Sequence, residues 1–184
     1  MQILVVEKTD QIKHARQVAE KAFSQGPDSS LDEWFSFKEM SQAISSDRGI
    51  CLLAIEKGEA LGMIYAQPES PINGKEGLEK WVISIIAVIP SSTGKGIGSE
   101  LLRVLEVKVK EKNVQKMFVY TNKGDDRVVN FYYKNGYEDA GRIKDYQYGE
   151  NNSAVFLLKY LSREDSWPET KLGKSSNNTS KTKI

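Results

Sequence analysis

Residues Trp81 to Val109 confine this chain to folds in which a buried strand feeds, through a glycine-rich turn, directly into an amphipathic helix. The run Trp81-Val82-Ile83-Ser84-Ile85-Ile86-Ala87-Val88-Ile89 is rich in β-branched residues and alternates little between apolar and polar positions. It reads as a central strand covered on both faces, because a strand with one wet face would alternate with a period of two. From Ile97 onward Leu101, Leu102, Leu105 and Val109 recur at helical spacing, which predicts a helix with one apolar stripe. Between the two lie Pro90 and the closely set Gly94, Gly96 and Gly98. Such glycines let several backbone N–H groups converge without Cβ atoms in the way, where a helix leaves its first N–H groups unpaired. A helix start carries about half a positive charge, so the turn reads as an anion site suited to a phosphate or pyrophosphate.

Spacing excludes two common phosphate binders. A dinucleotide fingerprint needs a third glycine where Ser99 stands, and a P-loop needs Gly-Lys-Ser/Thr where this chain has Gly98-Ser99-Glu100. The stretch instead resembles the pyrophosphate loop of the GNAT superfamily of acyl-CoA N-acyltransferases, written Q/R-x-x-G-x-G/A after a strand that ends in a small residue, Val and Pro. The matching strand end is Ile86-Ala87-Val88-Ile89-Pro90, and the loop is Thr93-Gly94-Lys95-Gly96-Ile97-Gly98, with Thr93 at the usual Gln or Arg position. A second block, Asn130 to Tyr137, is similar to the family's last helix and the strand after it. There Tyr132 matches the tyrosine that faces the thioester sulfur, Gly136 ends the helix, and Asp125 and Val128 take the usual Asn and Ala positions. The resemblance covers roughly residues 2 to 160.

The rest of the chain fits that order. Residues 2 to 7 read as a strand, Thr9 as the N-cap of a helix carrying Ile12, Ala15, Ala19, Ala22 and Phe23, and Ser30 with Glu33 as the capping box of a second helix. Residues 50 to 55 and 60 to 66 read as a hairpin about Glu56-Lys57-Gly58-Glu59. After the glycine turn come the helix from Ile97, a strand over 116 to 121, a short helix near 126 to 135, and strands near 137 to 144 and 154 to 160. The resemblance implies a mixed α/β fold, a mostly antiparallel twisted sheet of about seven strands flanked by four helices, within residues 1–161. Residues 162–184, polar and lysine-rich, bury too little apolar area to offset ordering and read as a disordered tail.

Composition narrows the function. With 26 basic and 25 acidic side chains and no face-long basic run, charge implies neither nucleic acid nor an anionic membrane as a partner. The single cysteine, Cys51, excludes an internal disulfide and, with the single histidine His14, a Cys/His zinc site; no metal is expected, and a reducing cytoplasm is the plain location. Cys51 reads as a small buried hydrophobe and His14 as a helix-surface residue.

The resemblance further implies that acetyl-CoA is the co-substrate and that an amine acceptor, a small molecule or a peptide, attacks its thioester directly in a ternary complex. The cofactor set would be Ile86, Ala87 and Val88 along the pantetheine arm, Thr93, Gly94, Lys95, Gly96, Ile97, Gly98 and Ser99 around the diphosphate, and Asp125 at the position of the family's Asn contact to the cofactor. Tyr132 would be the general acid, since a phenol with a pKa of about 10 carries its proton at neutral pH. The middle of the central strand offers no carboxylate as a base; Glu79 lies at its start and Ser84 could relay only through water. A lysine amine is only ~0.04 per cent neutral at pH 7 and an α-amine ~10 per cent, so the lack of a base favours an α-amine acceptor. Trp34, Phe35 and Phe37, together with the segment Asp145 to Ala154, are candidates for the acceptor groove; core packing and ordinary loop chemistry are the competing readings. A non-catalytic acyl-CoA sensor of the same fold, and a nucleotide-binding protein unrelated to coenzyme A, are the alternatives.

Overall fold

The computed structural model describes residues 1–24, 31–69, 79–122, 124–146 and 153–162. In chain order the elements are β1 (Gln2–Val5), α1 (Thr9–Phe23), α2 (Leu31–Trp34), α3 (Phe37–Ser45), β2 (Ile50–Glu56), β3 (Glu59–Pro68), β4 (Lys80–Val88), α4 (Ile97–Lys110), β5 (Lys116–Asn122), α5 (Asp126–Lys134), β6 (Glu138–Ile143) and β7 (Ala154–Tyr160). They form one mixed α/β fold around a seven-stranded sheet with the order β1-β2-β3-β4-β5-β7-β6. All neighbours run antiparallel except β4 and β5, which are parallel and are joined by the crossover helix α4. No helix among the described residues is long and apolar enough to cross a membrane.

The helices divide between the two faces. A Cβ on Gly62 of β3 would lie 2.9 Å from Ile97 and 3.0 Å from Leu101, so α4 rests against the face to which Gly62 belongs. Tyr65, an odd number of residues along β3, points to the other face, where its ring meets Phe35 at 6.0 Å and where α1 to α3 pack. Leu101, Leu102, Leu105 and Val109 form the buried stripe of α4, as their spacing requires.

Three local readings change. The N-cap of α1 is Lys8, one residue before Thr9, because the side-chain carbonyl of Gln11 accepts from the N–H groups of Glu7 (2.8 Å) and Lys8 (3.0 Å). The second helix is broken into α2 and α3: Ser36 starts a new helix by accepting from the Glu39 N–H at 3.2 Å, a Ser-x-x-Glu signal that interrupts the longer pattern. Ser30 lies outside the described residues, as does the tail from 163 onward. Finally, β4 is not covered on both faces: Trp81, Ile83, Ile85 and Ala87 are buried, whereas Val82, Ser84, Ile86 and Val88 keep partial exposure. For Ser84, Ile86 and Val88 the cause is the gap described next. The β2–β3 connection is the tight hairpin expected, with Lys57 (φ 52°) and Gly58 (φ 81°) both left-handed as a type I′ turn demands.

Candidate active site

β4 and β5 pair only at Lys80 with Lys116, Trp81 with Met117 and Val82 with Phe118. Beyond Val82 they separate. On its other edge β4 continues with β3, where Tyr65 faces Ile85 but Ala66 faces Ile83, so Ser84 is an extra residue, a β-bulge. A bulge bends its strand and increases the local twist, which here turns the second half of β4 away from β5. Ile86, Ala87 and Val88 pair with Ile64, Met63 and Gly62 of β3 and present their other edge to the gap. Unpaired strand groups of this kind call for a partner, either water or an extended ligand lying as a strand would.

The C-terminal end of β4 leads into the glycine turn. Pro90–Ser92 makes one turn of 3-10 helix, closed by the Thr93 hydroxyl, which donates to the Pro90 carbonyl at 2.9 Å. Gly94 (φ 76°) and Gly96 (φ 79°) take left-handed conformations that an L side chain resists, although the space beside each is open. Gly98 is needed for room: a Cβ there would meet the Phe131 ring at 3.2 Å and Ile86 at 3.8 Å. The first intrahelical donor of α4 is the Glu100 N–H, which reaches the Gly96 carbonyl at 3.0 Å, so the N–H groups of Ile97, Gly98 and Ser99 precede the ladder. From Gly96 a cavity of about 300 Å³ runs down the flank of α4, lined by Ser99, Glu100, Arg103, Glu106, Asn135 and Lys159. Arg103 donates to Glu100 through two nitrogens at 2.8 and 2.7 Å, and this pairing holds the Glu100 carboxyl below its usual range.

Tyr132 sits on α5 with 1% of its surface exposed, its ring against Phe131 at 5.1 Å and Tyr137 at 5.2 Å. Burial pushes its phenol well above the ordinary tyrosine value, so the group keeps its proton across the working pH range. Asp125 is the N-cap of α5, its carboxylate accepting from the Val128 N–H at 3.2 Å. Thr93 and Asp125 thus both have a side-chain oxygen engaged in a local cap.

Residues 12–137 match the family described as "Acetyltransferase (GNAT) family". The chain belongs to that family. Solved structures agree on the fold. A ribosomal-protein-alanine N-acetyltransferase from Brucella melitensis superposes with a TM-score of 0.68 at 18% identity, over 85% of this chain and 99% of that one. An aminoglycoside 6'-N-acetyltransferase complexed with coenzyme A gives 0.70 at 19% identity, over 90% and 99%. The aminoglycoside 6'-N-acetyltransferase from Enterococcus faecium gives 0.70 at 19%, again over 90% and 99%.

Within this GNAT frame the remaining candidates separate. Glu79 lies at the closed end of the β4–β5 pair, where its carbonyl accepts from the N–H groups of Gln115 and Lys116. Cys51 is fully buried and burial drives its thiol far above the range in which a thiolate forms, while His14 is exposed on α1. Phe35 and Phe37 are core residues, whereas Trp34 is 45% exposed. Among the described residues no group of three His, Cys, Asp or Glu side chains is placed to hold a metal ion. Sequence reasoning missed Tyr120 and Phe156. They face each other across β5 and β7 and form, with Tyr146, a cluster with ring centroids 5.2 to 5.5 Å apart. The alternation of Phe118 and Tyr120 along β5 was the available signal.

Proposed function

We propose that this protein is an acetyl-CoA-dependent N-acetyltransferase whose acceptor is the α-amine of an amino acid or peptide. The observation that carries the proposal is the gap between β4 and β5, whose open end meets the glycine turn at the start of α4. The free edge of Ile86 to Val88 fits an extended amide-bearing arm, and the N–H groups around Gly94 to Ser99 fit a diphosphate. Because the oxygens of Thr93 and Asp125 already serve caps, the anion is held chiefly by backbone N–H groups, with Lys95 exposed on the same turn.

Acetyl-CoA supplies an activated acyl carbon and a thiolate leaving group. The chain must orient the carbonyl, protonate the departing sulfur and receive the amine in neutral form. A backbone N–H near Val88 polarises the carbonyl, an interaction of a kind typically worth about 2.7 to 4 kcal/mol. As the amine nitrogen bonds to the acyl carbon and the carbon–sulfur bond breaks, the Tyr132 hydroxyl gives its proton to sulfur and is reprotonated from solvent. The amine sheds its own proton to water near Ser84, because β4 offers no carboxylate beside the gap. That arrangement suits an α-amine, of which ~10 per cent is already neutral at pH 7.

Isothermal titration with acetyl-CoA followed by turnover on α-amines is the direct test. Tyr132→Phe should lower kcat by about a hundredfold or more while the dissociation constant for acetyl-CoA holds. If the wild-type chain binds acetyl-CoA without turning over any amine, the second reading applies, a non-catalytic acyl-CoA binder, which the lack of a carboxylate along β4 favours.

A further inference from the structure

We propose that the acceptor carries an apolar side chain beside its amine and that Tyr120, Tyr146 and Phe156 form the wall on which that side chain lies. The inference rests on the N-acetyltransferase reading above. Lys159 of β7 bonds to Glu106 of α4 and pairs in register with Met117, so Met117 marks the face of the sheet that carries α4 and α5. Tyr120, an odd number of residues further along β5, stands on the opposite face. Phe118, on that same face, is the partner of Val82, the last paired residue before the gap. Tyr120 therefore forms the β5 lip of the gap on the side away from Tyr132, where a second substrate has access without crossing the glycine turn.

The three rings pack edge to face or tilted, at 5.4 Å for Tyr120 and Tyr146, 5.5 Å for Tyr120 and Phe156, and 5.2 Å for Tyr146 and Phe156. Interlocked rings leave no cage for an ammonium ion between them; they present a rigid apolar ridge. Tyr120 and Tyr146 remain 41% and 46% exposed, so the ridge keeps apolar ring area facing outward. Across the gap, over β3 and on the same face, stand Phe35 and the half-exposed Trp34. β4 lies between β3 and β5 and parts from β5 beyond Val82, so the opening on this face runs along β4 with Tyr120 on its β5 side. Asp32, Glu69 and Asp145, on segments bordering this face, are ion-paired with Arg16, Lys80 and Lys144.

The test compares initial rates of the full chain with acetyl-CoA and the α-amines of Leu-Gly, Phe-Gly, Ala-Gly and Gly-Gly, together with the aminoglycoside kanamycin. Leu-Gly and Phe-Gly should exceed Gly-Gly in kcat/KM by on the order of tenfold or more, expressed mainly in KM. Tyr120→Ala and Tyr146→Ala should collapse that ratio while calorimetry shows an unchanged affinity for acetyl-CoA, and Tyr120→Leu, which keeps apolar bulk, should retain it. A Leu-Gly to Gly-Gly ratio near one, a preference for kanamycin, or a ratio that survives both alanine variants overturns the inference and leaves the enzyme assignment standing. No heat with acetyl-CoA removes both.

Discussion

Lys159 shows how much one partly buried charge can organise. Its ammonium donates to both carboxylate oxygens of Glu106 (2.8 and 2.7 Å) and to the Asn135 carbonyl (2.8 Å), tying α4 to β7 and to the C-terminal end of α5. With side chains only 26% and 14% exposed, this pair is screened less than the surface ion pairs elsewhere on the chain. The neighbouring Tyr137 hydroxyl is the buried side-chain polar atom left without a hydrogen bond among the described residues; Glu106 faces it and helps burial to raise its phenol, but the contact falls short of a bond. Two opposite outcomes follow. Lys159→Met strands a carboxylate and should cost about 2 kcal/mol in urea unfolding, while the double variant with Glu106→Gln should lose less than the sum of the singles. Tyr137→Phe removes an unsatisfied hydroxyl and should be neutral or slightly stabilising.

Among the elements, α4 is the one on which the site depends, and its seat is set by a residue on another strand. Gly62 of β3 lies beneath the first turn of α4, where a Cβ would come within 2.9 Å of Ile97, 3.0 Å of Leu101 and 3.2 Å of the Ala87 carbonyl. Ile97 and Leu101 can shift only by lifting the helix start, and the Ala87 carbonyl belongs to the strand that borders the gap. Gly62→Ala should therefore lower stability by about 1 to 3 kcal/mol and also weaken acetyl-CoA binding, measured by chemical denaturation and calorimetry on the same sample. A similar loss of stability with unchanged affinity would show that α4 can move without disturbing the turn. None of this was legible in the sequence, where Gly62 is one glycine inside an apolar run. The glycine turn, the helix after it and the order of strands were legible, because periodicity and left-handed glycines are local signals. The Ser84 bulge and the Tyr120 ridge were not, because both depend on which strands pair and in what register.

At the scale of the whole molecule, the core ties stability to the protonation of three phenols. Tyr65, Tyr132 and Tyr137 are all buried, and burial raises each above the ordinary tyrosine value. Tyr65 packs against Phe35 of the α1–α3 layer and donates to Gln67 of its own strand at 2.7 Å, while Tyr132 of α5 packs on Tyr137, so both faces of the sheet are involved. In the unfolded chain the same groups titrate near pH 10. The sign follows from proton binding: above that pH the unfolded state releases protons that the folded state retains, so each raised phenol favours unfolding as pH rises. The contribution of these groups is fully present below about pH 10 and is lost progressively above it, by roughly 1.4 kcal/mol per pH unit for each phenol. Three acting together give a slope of roughly 4 kcal/mol per unit, enough to exhaust the margin of an ordinary domain, about 5 to 15 kcal/mol, within a few pH units. Urea midpoints measured from pH 8 to 11.5 should drift down from about pH 8.5, where the Cys51 thiol ionises in the unfolded chain but not in the core, and fall steeply above about pH 10, with tyrosinate absorbance appearing in step with loss of helix signal. Replacing Tyr137 by Phe should lower the phenol part of the slope above pH 10 by about one third without moving its onset. A gradual rise in tyrosinate absorbance well before the fold is lost would mean that the buried phenols ionise in place, and the proposed link between core burial and alkaline stability would fail.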